Sequence, residues 1–159
     1  MKQIESDKYY MKVAKACAEN SKAVILHVGA IIVKDNQIIS DGFNGTPSGF
    51  DNQCEITKTK DLSKCSTCTW EHCEGCDNLF LETKPEVLHA ESNAITKCAK
   101  SGRASLGSTI YVTHAPCISC AKLIIQAGII RVVYGEDYKN TLGIELLQKA
   151  GIKVEKYNG

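Results

Sequence analysis

Residues 5–20 place Tyr9, Val13, Ala16 and Cys17 at helical spacing, which predicts an amphipathic first helix. Val24 to Val33 is β-branched and apolar, and Gln37 to Phe43 resumes that character after Lys34-Asp35-Asn36, so a hairpin with a tight polar connection is expected. The run FNGTPSGF, residues 43–50, puts Gly and Pro in turn positions and ends the sheet pattern. From Asp51 to about Lys84 apolar periodicity is scant, and a loop of that length in a compact domain needs something to order it.

Pro85 precedes a clear helix, His89 to Lys100, closed by Ser101-Gly102. Ser108–Thr113 reads as a strand, Pro116–Ala127 as a helix and Ile130–Tyr134 as a strand. Thr141–Ala150 follows as a helix capped by Gly151, and Ile152–Val154 as a closing strand. The order α-β-β-α-β-α-β-α-β predicts an α/β fold, a mixed sheet flanked by helices, with parallel strands in its second half.

At 159 residues the chain suits a single domain, 1–159, able to bury a core without disulfides. Apolar residues make up 43% and charged residues 23%, with a net charge of +1. That balance lacks the broad basic field a polynucleotide or an anionic membrane would require, yet suits a small anionic ligand. The first twelve residues carry no apolar signal core, and the run Ala23–Val33, broken by His27 and Gly29, is too short to span a bilayer. A cytoplasmic location is therefore expected.

In such a compartment, spaced cysteines are metal ligands before they are disulfides. Nine are present. Cys17 and Cys98 stand alone in helical patterns and read as small buried apolar residues. Cys117 and Cys120, i and i+3 on a first helical turn, point the same way, and the positive helix end favours ionised sulfur. Pro116 suits the start of that helix because its missing N–H would have had no partner. His89, at the start of another helix, completes a set of two thiolates and one imidazole. Zinc held so keeps an open fourth position, where a water becomes acidic enough to supply hydroxide near neutral pH. Glu91, two residues from His89, is placed to move protons from water to ring and departing amine. His-x-Glu followed by Pro-Cys-x-x-Cys is the signature of the zinc deaminases.

Cys65-x-x-Cys68 and Cys73-x-x-Cys76 form two knuckles that would close a second, structural zinc site and order an inserted loop at about 54–84. The spacing also admits His72 or Cys54 in place of one ligand. It also raises a rival reading, a zinc-ribbon module for nucleic acid or protein. Against it, the loop mixes Lys64 with Glu71, Glu74 and Asp77 and offers only Trp70 for stacking.

Val28-Gly29-Ala30, the run Gly42 to Pro47, His89-Ala90-Glu91 with Asn93-Ala94, Pro116 through Cys120, the stretch CAKLIIQAGI and Tyr138 after Glu136-Asp137 together resemble the deoxycytidylate (dCMP) deaminases of the cytidine deaminase superfamily. The resemblance covers roughly residues 5–155, apart from the insertion. It implies a three-layer, five-stranded mixed sheet flanked by helices, one catalytic zinc, and hydrolysis of dCMP to dUMP and ammonia, supplying dUMP for thymidylate synthesis. It further implies homo-oligomers, often hexamers, with Asn44 on the sugar, the Ala90 backbone N–H on the base and Tyr138 near the nucleotide. Allosteric dCTP and dTTP, with Mg²⁺, belong to the same family pattern. Here SKAVILH stands where many members carry an Arg-Asp-Pro run for the effector, while Asn44-Gly45-Thr46-Pro47 is intact. His114 and Ala115 also depart from the family's usual residues, and His114 reads as packed or solvated before it reads as a substrate contact. Other free cytosine nucleotides, dCTP or a modified dCMP, are the alternative substrates. A base in RNA or a free purine would use the same motif, but the Asn-Gly-x-Pro loop and the lack of a basic surface disfavour them.

Overall fold

The computed structural model describes residues 3–59 and 79–159. Its elements are α1 (Gln3–Ala18), β1 (Gly29–Lys34), β2 (Gln37–Phe43), β3 (Glu55–Thr59), β4 (Leu79–Thr83), α2 (Ala90–Lys100), β5 (Thr109–His114), α3 (Ile118–Gln126), β6 (Arg131–Glu136), α4 (Leu142–Lys149) and β7 (Lys153–Lys156). Five strands form one mixed sheet in the order β2-β1-β5-β6-β7, with β1 antiparallel to both neighbours and β5, β6 and β7 parallel. The turn between β1 and β2 has Asp35 and Asn36 at φ 50° and 60°, the two left-handed residues a two-residue hairpin needs.

Alternation along the strands divides the core into two layers. Ile31, Val33, Tyr111 and Val133 pack on Tyr10, Met11 and Ala14 of α1. Ala30, Ile32, Ile110, Val112 and Val132 face the other way, onto Ala94 and Cys98 of α2, Ala121 and Ile124 of α3 and Leu147 of α4. The expected three-layer fold is therefore present. Gly102, Gly128 and Gly151 have φ of 70°, 71° and 78°, so the helix endings lie where the sequence indicated. Cys98 is buried and Cys17 packs at the margin of the α1 layer, as expected of small apolar residues.

Two expectations need correction. The first strand begins at Gly29, five residues later than its apolar run suggests, and Val24 and Ile25 are 72% and 54% exposed in a preceding loop. A β-branched run alone cannot report that this loop is held by side chains remote in sequence. The segment from Asp51 to Lys84 is also not purely loop, because β3 and β4 pair as an antiparallel ribbon, Glu55 opposite Thr83 through Thr59 opposite Leu79. Their alternation is weak because this two-stranded ribbon has little core to face. The second-zinc cysteines Cys65, Cys68, Cys73 and Cys76, and His72, lie outside the described residues. Cys54 is described, and its buried thiol faces the Asn52 carbonyl at 3.7 Å.

One polar cluster ties α1 to the sheet. Arg131 grips Asp7 with both guanidinium arms, at 2.9 and 2.7 Å, and donates to Glu155 through Nε at 2.6 Å, while the Tyr111 hydroxyl donates to Asp7 at 2.6 Å. Burial pushes the Asp7 carboxyl up, but the bonds from Arg131, Tyr111 and Gln3 outweigh it and hold it at about 2, below the ordinary 3.8. A depressed carboxyl stabilises the fold fully above its unfolded value and loses that contribution as pH falls through its folded one. Up to about 2 kcal/mol should therefore disappear between roughly pH 4 and pH 2. Denaturant unfolding at pH 5 and pH 3 tests this: Asp7→Asn should be less stable at pH 5 and show a shallower acid loss. An identical acid loss in both proteins would remove Asp7 from the account.

Candidate active site

Both helices that carry the motif residues start at the carboxyl ends of the sheet strands or beside them, each with an unusual first residue. His89 is the N-cap of α2 and Cys117 the N-cap of α3; both backbones are extended, and neither side chain caps its own helix. N-caps are normally Ser, Thr, Asp or Asn, whose oxygens satisfy the first free N–H groups. Here those positions hold metal-type donors that turn away from the helix. Pro116 precedes the cap and so lies two residues before the first helical position, Ile118.

The donors converge. His89 Nδ1 lies 3.5 Å from Cys117 Sγ and 3.4 Å from Cys120 Sγ, and all three ligand atoms fall within 4.8 Å of one another. A tetrahedral zinc with bonds of about 2.3 Å to sulfur and 2.0–2.1 Å to nitrogen sets such an N···S pair about 3.6 Å apart. Distances and donor chemistry both fit zinc. Among the described residues no other group of His, Cys, Asp or Glu gathers in this way. Hydrogen bonds from Cys120 and His89 hold the Cys117 thiol down to about 3, so it is ionised. Cys120 donates to Cys117 and is buried, and both effects push its own thiol up. The Cys117 sulfur in turn raises the His89 imidazole, against the opposing effect of burial.

Glu91 is 4% exposed, on the first turn of α2, and burial pushes its carboxyl above the usual range. It lines a cleft with His89, Ala90, Cys117, Asn44, His114, Tyr138 and Lys139. The cleft thus gathers His89 and Cys117 of the donor trio, Glu91 and the three residues expected near a substrate, Asn44, Ala90 and Tyr138. Asn44 also serves the fold locally. Its Oδ1 accepts from Val28 N at 2.8 Å and its Nδ2 donates to Leu26 O at 2.7 Å, which clamps the loop before β1. One amide hydrogen and one lone pair are left for a ligand.

Sequence reasoning missed part of the wall. Ile25, Leu26, Glu55, Thr83, Val87 and Lys139 also line the cleft. Buried Glu55 accepts the Val24 and Ile25 N–H groups at 2.9 and 3.2 Å, fixing the backbone of the segment from which Ile25 lines the cleft. Its only sequence signal was a carboxylate at the edge of an apparent loop, and its partners stand 30 residues away.

Close backbone approaches set the trio. Gly42 lies so near α2 that a Cβ would stand 2.3 Å from Ala90 O, and Gly45 and Leu88 exchange backbone bonds of 3.1 and 2.9 Å just before His89. Behind α3, a Cβ on Gly143 would come within 2.0 Å of Pro116 O.

A mixed five-stranded sheet with a His-Cys-Cys donor set at two helix starts defines the cytidine-deaminase-like class of α/β protein. Residues 4–136 match the family model described as the cytidine and deoxycytidylate deaminase zinc-binding region. The ComE operon protein 2 of Bacillus subtilis (strain 168) is 39% identical over 98% of this chain and 73% of its own length. The deoxycytidylate deaminase of Enterobacteria phage T4 is 36% identical over 91% of this chain and 86% of its own. Among solved structures, dCMP deaminase from cyanophage S-TIM5, crystallised with dCMP and dUMP, superposes with a TM-score of 0.80 at 40% identity, covering 99% of both chains. The chain belongs to the cytidine and deoxycytidylate deaminase family, and its cofactor is zinc.

The tight seat of Cys117 makes Gly143 a sensitive point. Gly143→Ala should push α4 from the Pro116–Cys117 backbone, cost about 1–3 kcal/mol by overpacking and weaken zinc retention against a chelator. Thermal melting and zinc release read both effects. Wild-type values for each would show that the approach is not limiting.

Proposed function

We propose that the protein hydrolyses dCMP to dUMP and ammonia, with His89, Cys117 and Cys120 as zinc ligands and Glu91 as the proton carrier. The observation that carries this is the converged donor trio, of which His89 and Cys117 line one cleft together with buried Glu91. Zinc, when bound, lowers the pKa of water so that hydroxide is available near neutral pH. The raised Glu91 carboxyl is suited to take a proton and return it, first to ring N3 and then to the leaving amine. The C4–O bond forms as N3 takes its proton, and the C4–N bond breaks afterwards, as the amine takes its proton and leaves as ammonia. The Ala90 N–H at the α2 start would steady the base, and the spare amide hydrogen of Asn44 the sugar.

An anionic substrate is supported by the charges of the lining. Glu55 is engaged by two backbone N–H groups, burial pushes His114 toward its neutral form, and Lys139 is the one lysine or arginine among the described lining residues. Asp137, near Lys139 in sequence, is paired with Lys156 at 2.5 Å and does not consume it. The family likeness to enzymes named for dCMP agrees with a nucleotide. We read the chain as one domain with an inserted zinc loop at about 54–84, held by Cys65, Cys68, Cys73 and Cys76. Exposed Ile118 and Leu123 on α3 and Leu142 on α4 favour assembly with like chains, and no described helix is long and apolar enough to cross a membrane. Regulation by dCTP and dTTP with Mg²⁺ rests on the intact Asn44-Gly45-Thr46-Pro47 loop alone, since SKAVILH replaces the Arg-Asp-Pro run.

Ammonia release should be measured over dCMP, dCTP, deoxycytidine, adenosine and guanine, with Glu91→Gln alongside. dCMP should be the best substrate, and the variant should keep zinc while losing about 10²–10⁴-fold in turnover. Preference for guanine would overturn the substrate, and near-normal turnover without Glu91 would overturn its role.

Metal content separates the two zinc sites. Elemental analysis should give two zinc per chain, falling to one in Cys117→Ala and to one in Cys65→Ser/Cys68→Ser. The second variant should keep much of its activity while residues 54–84 become protease-sensitive. One zinc in clean wild-type protein would defeat the inserted site.

A further inference from the structure

The strand that leads into Cys117 ends in a pair of side chains whose protons can be traced. Gly29 N donates to Thr113 Oγ1 at 3.1 Å, and the same oxygen stands 3.1 Å from His114 Nδ1. Thr113 is 6% exposed, so its hydroxyl has little access to water. A hydroxyl offers one proton and two lone pairs, and an N–H can only donate. The Gly29 N–H therefore occupies a lone pair and leaves the Thr113 proton for His114 Nδ1.

The opposite arrangement, Nδ1–H donating to Thr113, would give that oxygen two donors and strand its own proton. Among the described residues no other acceptor is recorded for that proton, and a buried unmatched donor costs about 1–3 kcal/mol. The accepting Nδ1 therefore carries no proton, and the neutral ring bears its hydrogen on Nε2. Burial pushes the His114 imidazole down, with Glu136 opposing, which agrees with a neutral ring.

His114 is half-buried and lines the cleft alongside His89, Ala90, Glu91 and Cys117. With Nδ1 engaged, Nε2–H is the ring donor left for that space, and no partner for it is recorded among the described residues. A neutral donor in a cleft that apolar Leu26 and Val28 also line matches an uncharged oxygen, not a phosphate and not the exocyclic amine, which is itself a donor.

We propose that His114 binds the substrate through Nε2–H, donating to an oxygen of the pyrimidine or deoxyribose, and that Thr113 is the positioning residue that fixes this tautomer. The proposal rests on the nucleotide deaminase reading and adds a substrate contact that the His-x-Glu and Pro-Cys-x-x-Cys motifs do not contain.

Two measurements on the zinc-loaded enzyme test it. Histidine ¹⁵N NMR near pH 7.5 should show His114 protonated at Nε2 and unprotonated at Nδ1, with the Nε2 resonance moving when dUMP is added. In kinetics, Gln reaches the Nε2 position of a histidine with an amide donor, whereas Asn reaches only the Nδ1 position. His114→Asn should lose about ten- to hundredfold in kcat/KM for dCMP, chiefly through KM, and His114→Gln should recover most of that loss. An Nδ1–H tautomer, an imidazolium at that pH, or no response to dUMP would overturn the proposal. Equal kinetics for the Asn and Gln variants would do the same. If either variant fails to hold zinc, the wild-type NMR result decides. A wild-type enzyme inactive on dCMP, yet with the expected tautomer, would instead defeat the substrate reading.

Discussion

The donor trio exists because two helix starts, distant in sequence, are forced to meet, and the forcing is done by backbone packed against backbone. Gly42 lets α2 lie on β2, and Gly143 lets α4 brace Pro116 and Cys117 from behind. Side-chain bonds reinforce the first seat: Asn93 donates to Phe43 O at 2.8 Å and Ser40 to Ala94 O at 2.7 Å. His89 and Cys117 both stand at N-caps, and neither caps its own helix. A cap is typically worth about 1 kcal/mol, so the fold gives up stability at both helix starts to free two ligands. The same exposed N–H groups and positive helix ends favour sulfur as thiolate, so the sacrifice also tunes the site.

Around this centre, polar residues spend much of their hydrogen-bonding capacity on the protein. Asn44 and Glu55 fasten the segment before β1 from two sides, and Thr113 fastens Gly29 while orienting His114. The cleft is thus shaped by satisfied, buried hydrogen bonds, which rigidify a wall that would otherwise be a short exposed loop. What these residues leave over, an amide hydrogen on Asn44 and a ring N–H on His114, is what the cleft can offer a ligand.

The sequence by itself determined the helices, the parallel second half of the sheet and the reactive centre. Helical spacing, capping glycines and the His-x-Glu and Cys-x-x-Cys spacings are local, and local chemistry is readable one turn at a time. It also revealed that a cysteine pair and a histidine with an adjacent carboxylate suit zinc, since donor type needs no coordinates. Only the tertiary structure decided that Val24 and Ile25 belong to a loop and not to a strand, because Glu55 and Asn44 hold that segment across 30 and 16 residues of chain. It alone paired β3 with β4 and brought Lys139 and His114 to the same cleft as Glu91. A side chain's hydrogen-bond partner depends on which strands become neighbours, and that is settled by packing of the whole sheet, which no local pattern encodes.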